Sequence, residues 1–381
     1  MATEKHRRIA LVVPDIGYDR GILRGVNRYA RPTRKWLLHS SLLTTSSVET
    51  VRRWKVDGIV VHAQPGKAMD ALIALGKPMV NVSGTDVPGV PAVRPDNVAV
   101  GRLAAEHLLQ RGHRVVAYFG LRRTQFSRAR RLGVRQAVRR AGAKLVAFNP
   151  FAAVHPDWES YDAAHLRWIT GLPKPVGVVC SSDHQGRVLL ESLYGSDIRV
   201  PREVSVVGVD NDEMHAMMTA PPLSSVELPL GRIGYEAAAL LELMMEGEPP
   251  PTEPLELPPV GVVTRESSDI VAIRDPEIAA ALDYINRNAH RPLTVEDVLG
   301  EVAVSRRTLE TRFRETLGRT PLAEIRRTHV EQAKKLLSHT DLPMPEIARE
   351  SGFTSAPALS VIFRRETGMP PTAWRRQYQL R

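Results

Sequence analysis

One cysteine, Cys180, occurs in 381 residues, so no intramolecular disulfide can form and the chain suits a reducing compartment, the cytoplasm. No apolar run approaches the roughly 20 residues that a membrane helix needs, and the first eight residues lack the apolar stretch of a signal peptide. Aromatic residues make up only 5% of the chain, which leaves little for a stacked nucleobase cage. No Gly-x-x-x-x-Gly-Lys-Ser/Thr loop is present to cradle a nucleotide, and the histidines, His39 and His62 among them, show no paired metal-ligand spacing. Neither a metal nor a cofactor is expected. Cys180 lies in Val178-Val179-Cys180-Ser181-Ser182, without the small residues two places away on either side that a nucleophile elbow requires. A cysteine-dependent enzyme domain is therefore the weaker alternative, and a buried thiol the better account. The expectation is a protein that is not an enzyme.

What is present is a repeat. Ser305 is followed by Leu309, Phe313, Arg314, Gly318 and Pro321, and fifty residues on Ser355 is followed by Leu359, Phe363, Arg364, Gly368 and Pro371. Each copy reads as a helix-turn-helix. Thr294 with Asp297 forms a capping box, Val295, Val298, Leu299 and Val302 supply an apolar stripe, and Ala303-Val304 turns the chain. Ser305 caps the second helix, which carries Leu309 and Phe313 on one face and stops at Gly318. Its other face bears Arg306, Arg307, Glu310, Thr311 and Arg314. In the second copy Gly352-Phe353 makes the turn and Ser355 caps the helix. A long helix from Pro321 through Leu337 joins the copies and fixes their distance.

Charge fits a nucleic-acid partner. Residues 305 to 381 hold 15 Lys and Arg against 8 Asp and Glu, so +7 of the chain's net +10 sits on this part. A helical bundle with solvated arginines is the competing reading. From Asp275 onward the sequence resembles the DNA-binding domain of AraC/XylS-type regulators, most specifically in Glu346-Ile347-Ala348, Gly352-Phe353, Phe363-Arg364 and Gly368-Met369-Pro370-Pro371 through Trp374-Arg375-Arg376. The resemblance implies two recognition helices in successive major-groove turns of double-stranded DNA. Carried over by position, base contacts come from Arg307, Glu310 and Thr311 in the first helix and from Ala356, Ser360 and Val361 in the second. Arg306 and Arg314 on the first helix, and Ser355 and Arg364 on the second, complete the expected DNA-binding set. The second helix offers Ala356, Pro357 and Val361 where relatives carry hydrogen-bonding side chains, so thymine methyls or DNA shape are its expected targets.

The first 268 residues alternate short apolar runs with amphipathic stretches. Strands are predicted at Ile9 to Val13, Gly58 to His62, Pro78 to Val82, Val115 to Phe119, Leu145 to Phe148, Val176 to Cys180 and Val204 to Val209. Helices are predicted at Arg20 to Ala30, Val98 to Arg111, Arg128 to Ala141 and Gly231 to Glu246. This alternation implies parallel sheets covered by helices, and the length accommodates two, with ligand bound beyond the carboxyl ends of their strands. Polar residues collect there: Asp15, Tyr18 and Asp19 after the first strand, Asp183 after Cys180, and Asp210 after Val209. Asp210 as acceptor, Arg130 as donor and Phe126 as an apolar cover make a set suited to a sugar. Each has a competing structural role: Asp210 or Asp183 as a helix cap, Arg130 as one more solvated residue of the run 128 to 131, and Phe126 as core.

This half resembles the sugar-sensing domain of LacI/GalR-type repressors, a type I periplasmic-binding-protein-like fold. The marks are Asp96-Asn97, Arg130-Arg131-Leu132-Gly133-Val134, Gly208-Val209-Asp210-Asn211 and the run from Leu257 to Ser267. In that family the Arg and the Asp contact the sugar, which implicates Arg130 and Asp210. Val134 replaces the usual aromatic, and no N-terminal helix-turn-helix is expected ahead of the first strand. The order of the two modules resembles the family of xylose operon regulators. It implies an α/β two-lobed sensor at 1–268, a linker at 269–275 and an all-α tandem helix-turn-helix reader at 276–381. By the same resemblance the protein is a homodimeric, D-xylose-responsive activator that engages RNA polymerase. Another pentose, a sugar acid or a nucleobase is the alternative effector.

Overall fold

The computed structural model describes residues 6–14, 17–33, 35–121, 123–148, 158–269 and 275–379. The chain opens with β1 (Arg7–Val12), α1 (Gly17–Thr33), β2 (Trp36–Ser41), α2 (Thr45–Trp54), β3 (Gly58–Val61), α3 (Lys67–Ile73), β4 (Met79–Asn81) and β5 (Val93–Pro95). It then crosses to a second lobe made of α4 (Asn97–Gln110), β6 (Val115–Phe119), α5 (Gln125–Arg140), β7 (Lys144–Phe148), α6 (Trp158–Thr170), β8 (Val176–Cys180), α7 (Asp183–Leu193), β9 (Val204–Val209), α8 (Glu213–Met217) and β10 (Ser224–Glu227). A second crossing returns it for α9 (Leu230–Met245) and β11 (Leu255–Leu257), and a third ends in β12 (Gly261–Val263).

The first lobe holds a parallel sheet of order β2-β1-β3-β4, and β11 pairs with β5 beside it. The second holds the order β12-β10-β9-β8-β6-β7, parallel except for β12 against β10. Every residue of β3, β8 and β9 is buried, as expected of parallel strands covered on both faces. β2 was not among the predicted strands. Its sequence Trp-Leu-Leu-His-Ser-Ser lies on the sheet edge and lacks the β-branched residues that mark the central strands.

α5 begins at Gln125, three residues before the predicted start, so Phe126 and Arg130 become i, i+4 neighbours on one helix face. The close fit of α5 on α4 depends on glycine. A Cβ on Gly133 would stand 1.9 Å from the Val98 carbonyl oxygen, and one on Gly101 would stand 1.8 Å from that of Arg130. The Arg-x-x-Gly spacing thus presses Arg130 against the start of α4.

The reader follows as α10 (Pro276–Arg287), α11 (Val295–Leu299), α12 (Arg306–Leu317), α13 (Pro321–His339), α14 (Met344–Glu350), α15 (Ala356–Thr367) and α16 (Pro371–Tyr378). The Thr294–Asp297 capping box is formed at 3.2 and 2.8 Å. Ser305 and Ser355 cap α12 and α15, and Gly318 and Gly368 end them at φ +71° and +82°. Two cores result. Leu309 and Phe313 pack with α10, α11 and Ile325, whereas Leu359 and Phe363 pack with α14, α16 and Val330, Ala333 and Leu337. α13 contributes to both, and its 19 residues make a rigid spacer about 28 Å long.

Candidate functional site

The carboxyl ends of the strands of both lobes converge on one cleft, and Arg130 is its centre. Its side chain is 4% exposed, which sets it apart from its exposed neighbours Arg128 and Arg131. Nε donates to Asn97 Oδ1 at 2.9 Å, Nη1 donates to the Ser181 carbonyl, and Nη2 lies 3.6 Å from Asp210 Oδ1. The Phe126 ring stacks on the guanidinium, 5.0 Å from its centroid. Three predicted residues, Phe126, Arg130 and Asp210, therefore form one unit.

Asp210 is not a helix cap. That role belongs to Asp212, whose carboxylate accepts from Met214 N–H at 3.0 Å. Asp210 itself is held at φ +113°, a strained backbone for a non-glycine residue, and such strain clusters at functional positions. Burial, with the negative charges of Asp212 and Asp19 nearby, pushes its pKa up to about 6 against the opposing effect of Arg130. Asp183 is not a cap either, since Ser182 caps α7. Asp183 is fully buried and accepts from Ser225 Oγ at 2.6 Å and Asp212 N–H at 2.8 Å, so it holds the loop that carries Asp210.

On the opposite lobe Asp19 is completely buried. Its Oδ1 is 2.7 Å from His62 Nδ1, and its Oδ2 has no partner among the described residues. Tyr18 packs against the cores of both lobes and donates its hydroxyl to the Val82 carbonyl at 3.0 Å. Burial, with Asp19 and Asp210 nearby, raises its pKa. Asp15 lies outside the described residues. His62 and Asn97 were not predicted as site residues. Asn97 carried a signal in the Asp96-Asn97 mark, whereas His62 carried none, because only the sheet brings it beside Asp19.

The lobes meet on both rims of the cleft. A Cβ on Gly17 would stand 2.0 Å from Asp212 Oδ2, and one on Gly84 would stand 2.8 Å from Phe126 Cβ. Asp86 N–H also donates to Gln125 Oε1 at 2.5 Å. The lobes thus close over a cleft in which the carboxylates of Asp19, Asp183 and Asp210 gather around Arg130, with Arg265 near Asp183 and Arg94 near Tyr18.

On the reader, the exposed faces of α12 and α15 hold the predicted DNA contacts. Arg307, Thr311 and Arg314 are exposed, and neither arginine has an acidic partner among the described residues. Arg306 is engaged by Glu296 and by Glu310, so these residues brace the start of α12. Ser355 serves as the α15 cap, Ala356 is half-buried, and Ser360 and Arg364 are exposed. Val361 is 70% exposed, an apolar side chain presented to solvent on the recognition face.

Family models match this architecture in two places: a periplasmic binding protein-like domain over residues 105–268 and a helix-turn-helix domain over 299–377. The "Xylose operon regulatory protein" of Escherichia coli (strain K12) is 28% identical, with 98% of each chain covered. That of Haemophilus influenzae is 28% identical over 98% of this chain and 99% of its own. A solved structure described as "xylose-binding transcription activator xylR" aligns over 99% of both chains at 27% identity and a TM-score of 0.64. The chain is similar to xylose operon regulators from end to end. The similarity runs through both modules in the same order, a periplasmic-binding-protein-like sensor followed by an AraC-type helix-turn-helix reader. The Arg130–Asp210 cleft falls within the first matched domain, and both recognition helices fall within the second. Among the described residues no helix is long and apolar enough to cross a membrane, and no cluster of His, Cys, Asp and Glu is arranged to hold a metal.

Proposed function

We propose that the protein is a DNA-binding transcription regulator that senses a neutral sugar, D-xylose, and acts in the cytoplasm as a homodimeric activator working through RNA polymerase. The observation that carries this reading is the closed cleft in which Arg130 and Asp210 of one lobe face buried Asp19 of the other. A sugar supplies hydroxyls that donate to Asp19 and Asp210 and oxygens that accept from Arg130. An anionic sugar acid would place its charge beside the carboxylates of Asp19 and Asp210, and a nucleobase would find the Phe126 face already covered by Arg130. The choice of D-xylose follows the names of the full-length relatives. Catalysis at Cys180 is disfavoured because the thiol is completely buried and burial raises its pKa.

Calorimetric titration of the full-length protein with D-xylose, related pentoses, hexoses and sugar acids is the direct test. Saturable binding of D-xylose alone supports the assignment, and preference for a sugar acid overturns it. The pH dependence has a defined sign. The ionised Asp210 carboxylate is the stronger acceptor, and protonation turns one of its oxygens into a donor, so sugar affinity is expected to be flat well above pH 6 and to fall as pH drops through about 6. A titration series from pH 5 to 8 checks this.

For the reader, Arg307→Ala is expected to cost about 1–3 kcal/mol on the cognate duplex and to relax one base position. Arg364→Ala should weaken all duplexes alike and lower the salt slope by about one. Binding measured on cognate and random duplexes across a salt series separates the two.

A further inference from the structure

The reader does not hang from the sensor by its linker alone; it is seated on the sensor's hinge. The three crossings between lobes are the segments β5 to α4, β10 to α9 and β11 to β12, and the second and third touch the reader. Val260, in the third crossing, is 5% exposed and belongs to the apolar cluster of Val330, Ala333, Leu337 and Phe363. Glu227, the last residue before the second crossing, lies with its Oε2 2.9 Å from His339 Nε2 at the end of α13. His339 is held from its own helix as well, with Nδ1 2.9 Å from the Lys335 carbonyl oxygen.

The other end of α13 is anchored on the second lobe. Arg327 Nη1 donates to Gln110 Oε1 at 2.7 Å, and Arg319 Nη2 donates to the Gln110 carbonyl at 3.3 Å. Both arginines are fixed by Glu324, which is 1% exposed. Tyr378 and Arg376 near the chain end line a groove of about 1050 Å³ together with Arg24, Gly231 and Arg232 of the first lobe. The spacer helix α13 therefore starts against the second lobe and ends against the segments between the lobes, while the chain end faces the first lobe.

We infer that effector binding reaches DNA through this seat, Val260 and Glu227 against α13, rather than through the covalent linker. The inference rests on the proposed sugar-responsive function and supplies its route. Domain closure concentrates backbone rotation in a few crossing residues. Val260 cannot follow that rotation without either moving α13 or opening a void in a close-packed core. α13 is shared by both helix-turn-helix cores, so a shift of this one helix changes the placement of both recognition helices at once.

The test uses full-length protein, D-xylose, and a duplex selected by this protein from random sequence. In the wild type, D-xylose is expected to change duplex affinity by a factor within the roughly 5- to 150-fold span of allosteric coupling. In His339→Ala combined with Val260→Ala, that factor should fall to within about twofold of one, while calorimetric affinity for D-xylose stays within about threefold of wild type. Glu227→Gln alone, a change that keeps the size of this buried side chain and removes its charge, should reduce the factor in the same direction. A flexible Gly/Ser insertion within residues 270–274 should leave it intact. Full coupling in the double variant, or loss of coupling from the insertion alone, overturns the inference while leaving the regulator standing. A wild-type factor of one would overturn the proposed function and the inference together.

Discussion

Asp210→Asn is expected to lower affinity for D-xylose by about 10- to 150-fold while the protein still folds and still binds duplex DNA. The magnitude follows from exchanging a charged acceptor for a neutral one, since hydrogen bonds to charged groups are worth about 1.5–3 kcal/mol. Asparagine is the informative substitution because residue 210 sits at φ +113°, where alanine would strain more than a short polar side chain. Asp210→Ala should lose as much sugar affinity and in addition destabilise the sensor, since the buried Arg130 guanidinium would lose its carboxylate neighbour. Calorimetry reads the first effect and thermal unfolding the second. Unaltered sugar affinity in both variants would move the effector site away from the Arg130 unit.

The same residue shows why the site was only partly legible in the sequence. Strand ends can be found from hydrophobic runs, and ligand-binding residues of open α/β sheets lie just beyond them, so Asp19 and Asp210 could be named without coordinates. Phe126 and Arg130 were named too, but their pairing depends on α5 starting at Gln125, and helix starts are the least determined part of a sequence pattern. His62 could not be named. Its partner Asp19 is 43 positions away and meets it only because β1 and β3 are neighbours in the sheet. Asp183 illustrates the reverse: a polar residue at a strand end reads as a cap or a ligand, whereas its burial under Ser225 and the Asp212 amide makes it a support for the loop.

The reader was far more legible because its rules are local. Capping residues, i, i+4 apolar pairs and glycine stops act within a dozen residues, and their repetition at an interval of fifty positions fixed both helix-turn-helix units in register. What locality could not supply is the seat on the sensor. Val260, Glu227 and His339 lie in a crossing segment, a strand and a helix with unrelated sequence contexts, and nothing in an apolar residue such as Val260 announces that its packing partners lie in another module.

Phe363→Ala is expected to cost about 3–5 kcal/mol in the second half of the reader and to remove protection of one half-site in footprinting, while the other half-site and D-xylose binding persist. Phe363 is fully buried, meets Trp374 edge-on at 5.6 Å, and sits among residues of four helices, so truncation leaves a cavity that little can fill. Phe313→Ala should do the same to the first half, because Phe313 and its neighbours form a separate cluster. The distinction turns on α13. If the spacer helix only joins two independent cores, each substitution deletes one reading head, and the salt slope falls toward half. If instead either substitution abolishes both half-sites, α13 holds the two cores as one cooperative unit. A shift of that helix by the sensor hinge would then switch the whole reader rather than re-aim one of its two helices.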